Sequence, residues 1–170
     1  MAYERRARDE IRHFPFDVKI GRFCGMTEAK RFEFLEHVAD VYIAAYGADL
    51  GEAFENAALA MFETMTDAES VEPRVGETVE VEGHDKQALL YNWLEDLLIR
   101  FDVKNMLYSR FKIQKIEETT EGFRLEAEVY GEPFRKRKHR QKVGVKAVTY
   151  HEMEIKEEAE GVAVKFILDI

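Results

Sequence analysis

Glu36, His37 and Asp40, three side chains able to hold a metal ion or pass a proton, share one charged turn in the stretch FEFLEHVADVYIAAYGADLGEAFENAALAMFETMTD, Phe32 to Asp67. Apolar alternation on either side of that turn reads as a strand before it, a strand after it and then a helix. Polar chemistry wedged between apolar elements needs a reason. Asp is a poor strand residue, so Asp40 is read first as a turn-capping side chain and second as a ligand or acid. His37 is read first as a structural hydrogen-bonding histidine, since no second His or Cys stands at zinc-ligand spacing. Asp67, closing the helix, is expected to make a turn. His151 shares a strand face with Ala147, Thr149 and Met153 and is expected at the core or its boundary.

The tail offers a second candidate. Phe166-Ile167-Leu168-Asp169-Ile170 keeps strand alternation to the last residue, where chain ends are usually polar and loose. Asp169 faces away from Leu168 and Ile170, so its carboxylate and the terminal carboxylate are anchored close together. Two such groups repel, and a hard cation relieves them.

Other chemistry is missing. There is no phosphate-cradling glycine loop, no nucleophile elbow and no recognisable Cys-His pair, so a self-contained enzyme is not indicated. Carboxylates without a nucleophile or base suit a bound cation better than a reaction centre. The single Cys24 excludes an intramolecular disulfide and a cysteine-rich zinc site, and fits a reducing interior. A formal net charge of -9 makes the whole surface a poor nonspecific binder of nucleic acid. Any RNA role must be local or run through a partner. The one concentrated positive run, Arg135-Lys136-Arg137-Lys138-His139-Arg140, is expected as an exposed loop, merely solvated or touching phosphates. No apolar run approaches the roughly 18 residues of a membrane helix, and the first residues lack the apolar region of a signal peptide. A soluble, cytoplasmic protein with no membrane partner is expected.

The elements that must position these groups are legible from periodicity. The 170 residues suffice for one domain with a core. An i, i+3, i+4 stripe from Leu50 to Met65 predicts a helix capped by Asp49, with Glu52 completing a capping box; a second stripe, Leu90 to Phe101, follows a cap at Asp85. Period-two runs around Val79, Phe111, Phe123 to Val129, Val145 to Ile155 and Val162 to Ile170 predict half-buried strands, with a hairpin at Glu121-Gly122. Two amphipathic helices and about seven strands imply one α+β domain, the helices packed on a mixed or antiparallel sheet. No strong repeat is evident. Residues 1–30 are charge-dense and read as an appended arm before a domain spanning 31–170, with Met26 as an alternative start.

Phe34-Leu35-Glu36-His37-Val38-Ala39-Asp40, Tyr46-Gly47, Glu52 to Ala58, Met65-Thr66-Asp67, Ala88-Leu89-Leu90 with Trp93-Leu94, Val129 to Glu132, Val145 to His151 and the closing Asp169-Ile170 together resemble the archease family. The resemblance spans Phe32 to Ile170. It implies an α+β cofactor protein, not an enzyme, serving the RNA-splicing ligase that joins a 3′-phosphate or cyclic-phosphate end to a 5′-hydroxyl. That ligase is guanylylated on a histidine using GTP and manganese. Family members promote this activation and repeated turnover in tRNA splicing and RNA repair, so RNA is met indirectly, through the ligase. The resemblance also implies a divalent metal, calcium in some members and otherwise magnesium or manganese, on Asp40, Asp169 and the terminal Ile170. His37, Asp67 and His151 are candidates to stand around those ligands. The chain departs from the pattern at Val38, commonly Thr, and in the loop before Val145, which is usually acidic and proline-bearing but here is rich in Arg and Lys around the familiar His139. Two other classes stay open: a metal-dependent hydrolase or nuclease using Asp40 and Asp169 with His37, and a metal-independent chaperone or adaptor.

Overall fold

Alternating side chains favour strands that are wet on one face, and two amphipathic helices can cover only so much sheet. The chain answers with two sheets rather than one. A computed structural model describes residues 29–37 and 39–170. The appended arm and the alternative start at Met26 therefore lie, except for Ala29 and Lys30, outside the described residues, as does Val38. The elements run β1 (Phe32–Leu35), β2 (Val41–Gly47), α1 (Leu50–Met65), a 3-10 turn (Ala68–Ser70), β3 (Val75–Gly83), α2 (Lys86–Lys104), β4 (Met106–Thr119), β5 (Gly122–Pro133), β6 (Ala147–Glu158) and β7 (Gly161–Asp169). One sheet has the order β1-β2-β7-β6 and the other β3-β5-β4. Every pairing among the described residues is antiparallel.

This order contains a repeat that side-chain identity hides. β3, α2, β4 and β5 form a strand-helix-hairpin unit in which the last strand lies between the other two. β2, α1, β6 and β7 form the same unit, with the first inserted between α1 and β6. Both hairpins close through two residues, pairing Thr119 with Gly122 and Glu158 with Gly161. Both helices start from a Gly-x-Asp junction, Gly47-Ala48-Asp49 and Gly83-His84-Asp85. The Asp side chains accept the N–H groups of Glu52 and Ala88 at 2.9 and 2.7 Å, satisfying helix-start donors that otherwise lack partners. Glu52 reaches back to the N–H of Ala48 at 2.6 Å, one residue before the position expected for a capping box.

The apolar stripes meet between the sheets. α1 packs on β2 and β4, and α2 on β3 and β6, so each helix bridges both sheets. Phe54, Phe62, Trp93, Leu94, Leu97 and Phe166 have no exposed surface, and the Trp93 indole donates to the Phe54 carbonyl at 3.0 Å. No helix among the described residues is long and apolar enough to cross a membrane.

Two expected features sit differently. β6 starts at Ala147 rather than Val145, although Val145 is buried. Its pairing with β7 shifts between Thr149 and Glu154, and Glu152 adopts φ 54. That irregularity carries His151 out of the alternation. Its side chain is 74% exposed, not at the core boundary.

The two glycines are required by close approach. A Cβ at Gly83 would lie 2.3 Å from the Leu89 nitrogen, and one at Gly47 2.3 Å from the Ala53 nitrogen, against backbone that cannot yield alone. Gly83→Ala is expected to lower stability by about 1–3 kcal/mol, read as a lower urea midpoint at constant slope. An unchanged midpoint would mean that the junction relaxes freely.

Candidate functional site

β2 and β7 pair in a register that runs from Val41 opposite Leu168 to Gly47 opposite Val162. Extended by one residue, that register would bring Asp40 level with Asp169. On its other side Asp169 pairs with Ala147 of β6, and the neighbouring Lys146 donates its N–H to the Asp169 carbonyl at 2.8 Å. The Lys146 ammonium donates to the Ile170 main-chain oxygen at 2.7 Å, while the Ile170 side chain packs against the core. The tail is thus held by strands on both flanks, by a cation and by apolar burial.

The turn before β2 aims Asp40 at this point. The Asp40 N–H donates to His37 Nδ1 at 3.2 Å, and the Asp40 carboxylate lies 3.8 Å from the same nitrogen. A nitrogen that accepts an N–H carries no proton of its own. The His37–Asp40 approach is therefore not an ion pair in that tautomer, and the carboxylate has no cationic partner among the described residues. The Asp169 side chain has none either. Glu36 is exposed in the same turn.

Asp40, Asp169 and a tail oxygen make an all-oxygen donor set, the chemistry of a hard cation such as calcium, magnesium or manganese rather than zinc. Among the described residues no group of three His, Cys, Asp or Glu side chains could hold a metal ion, so a site here would need a main-chain oxygen as well. The residues fit the group. The other two candidates keep different company. Asp67 pairs with Lys142 at 2.7 Å, whose hydrogen bond holds its carboxyl below the usual range. His151 lies 3.8 Å from the exposed Glu152.

A second polar cluster was not read from the sequence. Glu132, at the end of β5, is fully buried. Its Oε1 accepts the Glu72 N–H at 2.8 Å, the Lys138 ammonium, and His139 Nε2 at 3.2 Å, while Oε2 has no partner. His139, also buried, accepts the Arg135 N–H on Nδ1 at 2.9 Å, which puts its proton on Nε2 and makes the imidazole a neutral bridge. Burial pushes the Glu132 carboxyl up, but donors from Lys138, Glu72 and His139 outweigh it and hold the group at about 2. The available signal was that Glu132 is the sole acid between Glu128 and Glu152.

Beyond His139 the loop covers the end of α1. The N–H groups of Lys142 and Val143 donate to the Met65 and Thr64 carbonyls at 3.0 and 3.3 Å. Thr66 Oγ1 donates to the Arg140 carbonyl at 2.8 Å. The Lys142 and Val143 contacts satisfy helix carbonyls that have no partner inside the helix, and the Thr66 contact ties the loop's own carbonyl to the helix cap.

Residues 32–170 match the model of the Archease protein family (MTH1598/TM1083). A curated archease from Sulfurisphaera tokodaii is 45% identical over 141 residues, covering 83% of this chain and 99% of that protein. One from Pyrococcus abyssi is 44% identical over 132 residues, covering 78% and 92%. The solution structure of Methanobacterium thermoautotrophicum protein 1598 superposes with a TM-score of 0.73 at 44% identity, covering 82% of this chain and 99% of that one. The crystal structure of a Thermotoga maritima archease, described as a possible chaperone, shares the fold, with a TM-score of 0.51 at 17% identity over 81% and 96% of the two chains.

Glu132→Gln removes the charge that three donors share and is expected to destabilise the protein by about 2–3 kcal/mol at pH 7. The folded carboxyl, at about 2, lies below the roughly 4.3 of an unfolded Glu. Its contribution is complete above that unfolded value and is lost as pH falls towards 2. Urea unfolding from pH 7 to pH 3 should show a smaller acid loss in Glu132→Gln than in the parent; parallel curves would deny Glu132 this role.

Proposed function

The chain belongs to the archease family, and from that premise we propose that it is an accessory protein of RNA ligation, not itself the ligase. In this reading it promotes GTP-dependent guanylylation of a 3′-phosphate RNA-splicing ligase and supports its repeated turnover in tRNA splicing and RNA repair. The observation that supports the reading is the β2–β7 register, which extended by one residue would bring Asp40 level with Asp169, together with the Lys146 hydrogen bond to the tail oxygen of Ile170. Asp40, Asp169 and the Ile170 carboxylate would hold one divalent cation, calcium or a chemically similar ion. Such a cation, when bound, neutralises clustered negative charge and offers a Lewis-acidic point to a phosphate.

Each residue has a distinct part. Asp40 brings a carboxylate from the first turn, oriented through its N–H by His37. Asp169 brings one from the last strand, and Lys146 holds the tail oxygen in position. The resulting tip is proposed to dock at the ligase nucleotide site, where a stabilisation of only about 1.4 kcal/mol changes the rate tenfold.

A chaperone or adaptor reading that needs no metal has its own support. Ile99 and Val103, one turn apart on α2, are 51% and 77% exposed, and the Thermotoga maritima structure is described as a possible chaperone.

The deciding experiment is a guanylylation assay of the partner ligase with and without this protein, GTP and divalent metal. Asp40→Ala or Asp169→Ala should abolish stimulation, and calorimetry should show at least tenfold weaker cation binding, while the unfolding transition persists. Stimulation unchanged by either substitution sinks the metal tip. Stimulation that survives strong chelator selects the adaptor, and turnover of RNA or nucleotide by the protein alone selects a hydrolase. A peptide tag added after Ile170 should weaken cation binding if its carboxylate is a ligand.

A further inference from the structure

The segment from Phe134 to Lys146 carries seven cations, Arg135, Lys136, Arg137, Lys138, Arg140, Lys142 and Lys146, on a chain whose formal net charge is -9. The structure divides them into two kinds. Lys138, Lys142 and Lys146, spaced by four residues, are tied down by hydrogen bonds and ion pairs. Lys138 binds Glu132 and Glu72, Lys142 binds Glu63 and Asp67, and Lys146 binds the tail oxygen of Ile170. Among the described residues Arg135, Lys136 and Arg137 form no ion pair, and Arg140 is met by the field of Asp67. All four are exposed. The chain has 34 acidic side chains against 25 basic ones, yet among the described residues no carboxylate forms an ion pair with these four groups.

Their backbone is held firmly. The N–H groups of Lys138 and His139 both donate to the Arg135 carbonyl, at 2.9 and 2.8 Å, closing a tight turn with Lys136 and Arg137 at its tip. His139, fastened to buried Glu132 and to the Arg135 N–H, anchors the base of the turn from inside. Thr66 fixes the Arg140 carbonyl. A cluster of like charges costs repulsion, which a solvated random loop would lower by spreading apart. Here a buried network holds the cluster together.

We propose that this anchored loop binds the phosphodiester backbone of RNA. Three of its four outward cations are arginines, whose planar forks pair bidentately with phosphate oxygens and, being weakly hydrated, release little water in doing so. Four cations within six residues match a polyanion of closely spaced charges better than the scattered carboxylates of a protein surface. No aromatic side chain stands among them to stack on a base, since Phe134 packs against the core and His139 is buried. Binding is therefore sequence-independent and electrostatic. The choice of RNA over DNA rests on the function proposed above; the phosphate chemistry does not. The loop would hold substrate RNA near the tip that meets the ligase, because its far end, Lys146, touches the tail.

The test needs no ligase. Fluorescence anisotropy of the full chain with a labelled 20-nucleotide polyuridine should detect binding at low salt. Neutralising about four phosphates predicts roughly fifty-fold weakening between 50 and 200 mM salt for a single strand. Combined Arg135→Ala, Lys136→Ala, Arg137→Ala and Arg140→Ala should weaken binding at least tenfold, with the urea midpoint unmoved because the anchoring residues remain. A second variant with Arg135→Lys, Arg137→Lys and Arg140→Lys should stay within about tenfold of the parent. Binding indifferent to salt or to the fourfold alanine change overturns the proposal. So does a polyglutamate of equal charge that binds as tightly as the RNA, which would point to an acidic protein. Guanylylation measured without RNA separates the two readings. The fourfold variant should still stimulate it, and a parent protein that fails to stimulate it refutes the ligase role while leaving the RNA measurements to decide the loop.

Discussion

The pairing of β2 with β7 is the constraint on which the candidate site depends. It joins the first long strand to the last and closes one structural unit around another. Closing so long a loop costs little more than closing a short one, because the entropic term grows only logarithmically with length. The return is large: Val164, Phe166 and Leu168 of β7 and Ile43 of β2 are fully buried. A slip of one residue would turn that face to water, so hydrophobic burial fixes the register.

Burial thereby forces an electrostatic conflict. The register carries Asp40 and Asp169 towards each other, and neither carboxylate has a cationic partner among the described residues. Burying each large apolar side chain of β7 contributes about 1.5–3 kcal/mol, which holds the strand in this register. Lys146 offsets part of the negative charge at the Ile170 oxygen. Glu132 resolves the same problem in the opposite way. It is more deeply buried, but Lys138, His139 and the Glu72 N–H share its oxygen, and the charge is stabilised in place.

Strong local signals were legible in the sequence. Both helices follow their apolar stripes and aspartate caps, and the strands follow their alternation, because each buries one face against a neighbour. The division into two sheets was not legible, since a half-buried strand looks alike in either. The nested repeat escaped because only Gly47 with Asp49, and Gly83 with Asp85, preserve it; the remaining positions need only be apolar in the right period. His151 was misjudged for a related reason. Alternation assumes unbroken pairing, and the shift between Thr149 and Glu154 breaks it. The approach of Asp40 to Asp169 required long-range pairing, which no local pattern carries. Glu132 was hidden because strand-end charges are usually solvated, and its burial follows from a loop seven residues on.

The insertion of one strand-helix-hairpin unit inside another also sets an order of assembly. β3, α2, β4 and β5 are contiguous and can pair as soon as they leave the ribosome. β2 and α1 are made earlier, yet their sheet stays open until β7 arrives. The turn carrying Asp40 therefore meets its neighbour strand only once β7 has been made, and a chain shortened before β7 would retain the inner unit but leave β2 without its partner.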